Sequence, residues 1–251
     1  MKKAPLLITC GIIFLLVGGY YGYDQFFNRR PVKPWDLVPS DAVIVYEKDD
    51  CNSCIEQFGE SMIWRIFETA SFYNKQHADS LKKKLSQLVI SQPGFLTSLH
   101  STKKDEFDLI YYIPGKTTVN PEFLKNIPHK KTSREFNSVT IEEFKFLNLN
   151  FSLAMIEEVW VGSFTPFLIE DVIRTYKSDE KSGFAKHAVS LQPLSRIKND
   201  AGNLYINFKN FSDWLTLFGP PVSSTTEMGT SALLDVKAND NNIVLSGFTL
   251  D

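Results

Sequence analysis

Cys51-Asn52-Ser53-Cys54 is the pattern in this chain that holds the most chemistry. Two thiols at this spacing, after a strand and at the opening of a helix, are the setting of a thiol–disulfide redox pair. The unpaired N–H groups of a helix's first turn stabilise a thiolate and lower its pKa. Pro93 lies downstream, near where the fold that uses such a pair places a cis-proline. That fold also needs a strand between the first helix and the proline, whereas residues 55–90 read as two helices with none. Asp49 and Asp50 beside Cys51 disfavour a thiolate as well. The competing reading is a structural pair in an oxidising compartment. Metal binding would need two more ligands. The third cysteine, Cys10, sits in an apolar run, and His77 is the histidine closest in sequence, so no metal site is expected.

The remaining reactive residues are dispersed. His77, His100, His129 and His187 show no H-E-x-x-H or other paired spacing and read as surface or ordinary strand histidines. Ser80-Leu-Lys-Lys83 and Ser178-Asp-Glu-Lys181 fit the S-x-x-K spacing that lets a lysine activate a serine one helical turn away, without the supporting motifs. Asp105, Glu106 and Asp108 sit at one hairpin turn and Asp240, among Asn239, Asn241 and Asn242, at another, as turn chemistry requires. Neither has the alternation and glycine of a calcium loop. Glycines are scattered, so no phosphate loop is formed. Trp64, Trp160 and Trp214 fall on core faces. No catalytic residue beyond the Cys51/Cys54 alternative, and no cofactor, is expected.

What positions these residues begins at the N-terminus. Lys2 and Lys3 precede an uncharged apolar run from Ala4 to Tyr23, and Asn28-Arg29-Arg30 follows it. Twenty residues at helical rise span about 30 Å, the thickness of a bilayer's hydrocarbon core. Tyr20, Tyr21, Tyr23, Phe26 and Phe27 form an aromatic belt at the exit. No small-x-small cleavage site closes the run. A lipoprotein reading of Leu7-Ile8-Thr9-Cys10 is opposed by Thr9 and by the apolar residues beyond Cys10. Residues 1–23 therefore read as a transmembrane signal-anchor, with the bulk of the chain on the extracytoplasmic side. The charge rule alone is nearly balanced, because Arg29, Arg30 and Lys33 oppose Lys2 and Lys3.

Apolar residues make up 43% and charged residues 22%, ordinary values for a globular chain. A net charge of −2 argues against nucleic acid as a partner. Lys82-Lys83-Lys84 and Lys130-Lys131 read as solvated surface. Residues 24–40, with Pro31, Pro34 and Pro39, form a linker. Ala42–Lys48 reads as a strand. Ser53 and Glu56 form a capping box for a helix carrying Ile55, Phe58, Met62, Ile66 and Ala70, and a second helix carries Ala78, Leu81, Leu85 and Leu88. Residues 95–102 and 108–113 form a hairpin, 135–146 one or two strands, and 151–156 with 159–164 another hairpin. A helix opens at Thr165-Pro166, and 184–191 forms a short helix. Then come a strand at 203–209, a helix at 210–218 and a hairpin of 232–237 with 243–248. Strand, helix and hairpin thus occur twice. The expectation is an α+β fold, antiparallel sheet with packed helices, with a first unit over 41–200 and the start of a second, truncated unit over 201–251. On the alternative reading, the last strand completes a single sheet begun by the first unit.

Val38-Pro-Ser-Asp-Ala-Val-Ile-Val-Tyr46, Leu99-His100 before Phe107–Ile113, and Gly202-Asn-Leu-Tyr-Ile-Asn207 resemble recurring segments of a bacterial family of membrane-anchored exported proteins of unknown function. The resemblance implies an extracytoplasmic α+β domain and assigns no catalytic residues. The functional expectation is a single-pass membrane protein, held by residues 4–23, whose domain has a structural or interaction role with an envelope protein as partner. The alternative is a redox protein using Cys51 and Cys54.

Overall fold

In a computed structural model the chain divides by its contacts into residues 1–32 and 33–251. The described residues are 18–19, 32–47, 94–103, 106–115, 130–146, 149–178, 184, 202–215, 229–238 and 243–250. Gly18 and Gly19 are helical. The rest of the apolar run 4–23, the linker before Val32, both helical patterns between 53 and 90 and most of 184–191 lie outside the described residues. Among the described residues no helix is long and apolar enough to cross a membrane.

The described residues of the second unit form ten strands: β1 (Ile44–Glu47), β2 (Leu96–Lys103), β3 (Glu106–Pro114), β4 (Lys130–Phe136), β5 (Val139–Phe146), β6 (Leu149–Ile156), β7 (Val159–Ser163), β8 (Asn203–Asn207), β9 (Ser231–Ala238) and β10 (Ile243–Leu250). All ten join one sheet in the order β10-β9-β8-β1-β2-β3-β7-β6-β5-β4, and every neighbouring pair is antiparallel. Two α-helices accompany it among the described residues, α1 (Pro166–Lys177) and α2 (Phe208–Leu215). This overturns the α+β expectation: the described chain is mainly β. The physical reason lies in the pairing. Strands from both ends of the sequence share one ladder, so the sheet is the framework and the short helices are local covers on it.

Alternation along each strand builds two faces. One carries Ile44, Tyr46, Leu99, Leu109, Tyr111, Phe151, Leu153, Leu204, Ile206 and Val236, a single apolar cluster completed by Trp214 of α2. Fully burying one such side chain contributes about 1.5–3 kcal/mol. The other face carries Val45, Leu96, Ser98, His100, Ile110, Tyr112 and Ser163, all buried. It is covered in part by α1, whose Leu168, Ile169, Val172 and Ile173 are buried against β6, β7 and the 3-10 turn Pro34–Leu37. Trp35 of that turn stacks on Phe184 at 5.7 Å and donates its indole N–H to Glu47 Oε1 at 2.7 Å.

Local chemistry sets the corners. Asn137 and Ser138 both have positive φ, 45° and 61°, and form the two-residue turn that joins β4 to β5. Thr165 stands at the N-cap of α1 and Pro166 at its first turn, but the threonine hydroxyl does not cap the helix and instead reaches the sheet. Arg134 of β4 ties the far end of the sheet to α1, with Nε 2.6 Å from Glu143 and an Nη 2.8 Å from Glu170.

At Gly162 the sheet needs a missing side chain. A Cβ built there would lie 2.6 Å from the Phe151 ring, which is fully buried. Gly162→Ala is expected to lower stability by about 1–3 kcal/mol through overpacking. Combined with Phe151→Leu, it should cost less than the sum of the two single changes, measured by chemical denaturation. Strict additivity would show that the ring and the glycine do not share this space.

Candidate functional site

The alternation of β2 places Ser98 and His100 on the same face, two residues apart. In register with them on β3 stand Ile110 and Asp108, and Tyr112 stands opposite Leu96, diagonal to Ser98. The turn that leads into β1 supplies Asp41. These four side chains form one hydrogen-bonded row. Asp41 Oδ1 lies 3.0 Å from His100 Nδ1, His100 Nε2 lies 2.7 Å from Ser98 Oγ, and Ser98 Oγ lies 3.1 Å from Tyr112 Oη. Ser98, His100 and Tyr112 are completely buried, while the Asp41 side chain is 57% exposed.

With a neutral imidazole, one proton arrangement satisfies every contact. Tyr112 donates to Ser98, Ser98 donates to Nε2, and Nδ1–H donates to the Asp41 carboxylate. Partial burial pushes the Asp41 carboxyl up, but the hydrogen bond from His100, the electrostatic attraction of that ring and a backbone bond outweigh it and hold the group below its usual range. Burial drives the Tyr112 phenol far upward, with a further push from Asp41, against the effect of its bond with Ser98. Tyr112 therefore keeps its proton and can donate it to Ser98.

The order acid, imidazole, hydroxyl is that of a nucleophilic triad. Two features remove that chemistry. Ser98 has no exposed surface, and its strand is hydrogen-bonded on both sides, to β1 and to β3, so the nearby backbone N–H groups are committed to the ladder rather than to an oxyanion. The row acts as a pin that fastens the Asp41 turn to β2 and β3. Beside it, Asp108 lies opposite His100 and accepts the Thr165 hydroxyl at 2.6 Å, and Ser163 donates to the Leu109 carbonyl at 2.9 Å. The polar seam thus continues across β3 to β7 and the start of α1.

From its sequence context alone His100 is a surface or ordinary strand histidine, and Asp108 stands next to a hairpin turn. Both are buried in mid-sheet. The signal available was the Ser-x-His alternation in a strand, which puts both groups on one face. Of the other candidates, Cys51, Cys54, His77, His129, His187, Ser80 with Lys83, Lys181, Asp105, Asp240 and Trp64 lie outside the described residues. Ser178 ends α1 and donates to the Thr175 carbonyl. Trp214 is buried in the core, and Trp160 packs against it, half-buried. No cluster of metal-ligating side chains occurs among the described residues. An open cleft of about 440 Å³ lies where β5, β6 and β7 meet α1, lined by Met155, Glu157, Trp160, Tyr176 and Lys177 among others.

The second exposed feature is an edge. β10 pairs with β9 alone among the described strands, and Val244, Leu245 and Phe248 are 50%, 43% and 45% exposed. Leu245 stands opposite Val236 and Phe248 opposite Leu233, so apolar surface is presented on both faces of this strand. Comparison of the chain with protein-family models, with curated proteins and with solved structures finds no match.

The polar row makes two predictions. Ser98→Ala leaves Tyr112 without its acceptor and should destabilise the fold by about 1–3 kcal/mol. Adding Tyr112→Phe should cost less than its effect alone, a coupling readable in a double-mutant cycle. Independent effects would contradict the row. The second concerns pH. Asp41 is held below its unfolded value, so its contribution is fully present above the ordinary carboxylate range and is lost as pH falls through the depressed value. Asp41→Asn should remove that part of the acid dependence in denaturation curves taken from neutral pH downward. An unchanged slope would count against the bond to His100.

Proposed function

We propose that the chain is a single-pass membrane-anchored protein whose extracytoplasmic β-domain serves a structural or interaction role. The observation that carries the interaction role is the open edge. A strand of eight residues, uncharged and free of proline, has no described strand on its outer side and exposes Val244, Leu245 and Phe248. The uncharged run 4–23 supports the anchor, and the resemblance to exported membrane-anchored proteins supports the compartment. The buried Asp41–His100–Ser98–Tyr112 row supports a role without chemistry at that place, because its hydroxyl meets no solvent.

The test uses the full chain in its native cells. It should pellet with membranes, resist alkaline carbonate extraction, and be cut by protease added outside the cytoplasmic membrane. A photo-crosslinking residue at Thr249 of β10 should give a discrete adduct, whereas one at Thr132 of β4 should not. Release by carbonate, protection from external protease, or equal adducts from both strands would contradict the proposal.

A further inference from the structure

The sheet has two edges, and they differ in kind. At the β4 edge Lys130, Lys131 and Thr132 are exposed, and Lys131 and Arg134 form ion pairs with Glu142 and Glu143 of β5. Charged side chains along an edge block the addition of another strand. The β10 edge has no charge and no proline from Ile243 to Leu250, and it is exposed from Val244 to Thr249. Among the described residues one edge is guarded by charge and the other is open.

We propose that the open edge is occupied by a second copy of this chain, with the two β10 strands pairing antiparallel across a twofold axis through Ser246. This deepens the interaction role proposed above and rests on it. The register follows from parity. In an antiparallel pair, opposed residues share a face, so a twofold normal to the sheet must centre on a residue rather than between two. Centred on Ser246, Val244 falls opposite the partner's Phe248, twice by symmetry, joining the two exposed apolar residues of one face in an aromatic–β-branched pair. On the other face Leu245 falls opposite the partner's Gly247, where no side chain competes for its space. Centred on Gly247 instead, Ser246 would oppose the partner's Phe248 and Leu245 the partner's Thr249, and both matches are lost. No like charges meet, because the strand carries none. Head-to-tail addition of β10 to another copy's β4 would build an open filament, and Lys130 and Lys131 stand against it. Two copies anchored in one membrane have a raised effective concentration, so a contact of one strand on one strand is sufficient.

The test is sedimentation equilibrium of the full chain in detergent. The wild type is expected to be dimeric. Leu245→Lys, which places two charges in each interface, should weaken self-association at least about tenfold with an unchanged circular dichroism spectrum. Ser246→Cys, in a chain with Cys10, Cys51 and Cys54 replaced by serine, should form an intermolecular disulfide under mild oxidation, whereas Thr132→Cys should not. This second readout does not depend on whether the lysine variant folds. A wild-type dimer that Leu245→Lys leaves intact, or one in which Ser246→Cys does not crosslink, overturns the proposal. A monomeric wild type overturns it as well. If Thr249 then still captures a different envelope protein in cells, the interaction role stands and only the second copy falls. If it captures nothing, both fall.

Discussion

Four residues hold this sheet together. Ile44–Glu47 pair with Leu96–Leu99 on one side and with Asn203–Ile206 on the other, so β1 joins strands drawn from the two ends of the sequence. From the β1–β8 pair, β2 and β3 run outward in one direction and β9 and β10 in the other. Ile44, Val45 and Tyr46 are buried, and Tyr46 belongs to the main apolar cluster. A strand in this position tolerates little. A slip of one residue would carry Ile44 and Tyr46 from the cluster to the opposite face and bring Val45 into it.

The Asp41–His100–Ser98–Tyr112 row is best understood as the lock on that register. Asp41 lies just before β1, and the other three side chains stand on β2 and β3, so the row fixes the entry to β1 against the strands it must meet. The Val43 N–H bond to the Leu99 carbonyl and the Asn207 N–H bond to the Val43 carbonyl extend the same junction past the end of the strand. Asn210 of α2 adds its amide donors to the Asp41 and Ala42 carbonyls. Buried polar groups are costly unless all are satisfied, and a satisfied set specifies one arrangement. A row that looks like a nucleophilic triad thus has a mechanical explanation.

The individual strands were legible because alternation and turn chemistry are local. The hairpins 95–113 and 151–164, the Thr165-Pro166 helix start and the last hairpin all lie close to where the pattern put them. Two things were not legible. Most of β4 was missed because Lys130-Lys131 read as solvated surface, so the strand pattern was taken up only from Glu135. The two lysines are exposed, on an edge strand whose turn, Asn137-Ser138, lacks the usual glycine. The single sheet stood only as the alternative to two units, because β1–β8 pairing links residues far apart in sequence and no local pattern encodes it. His100 does lie in a strand, but its bond to Asp41 was not legible for a related reason: Asp41 is brought beside it only when β1 pairs with β2.

The central claim is that β1 makes one cooperative sheet of strands from both ends of the chain. Native-state hydrogen exchange on the full chain tests it most directly. The account predicts that the amides of β1, β2, β3 and β8 exchange through one shared opening, with the same free energy and the same denaturant dependence. Exchange of β8 and β9 through an independent opening, well below that of β2 and β3, would contradict it.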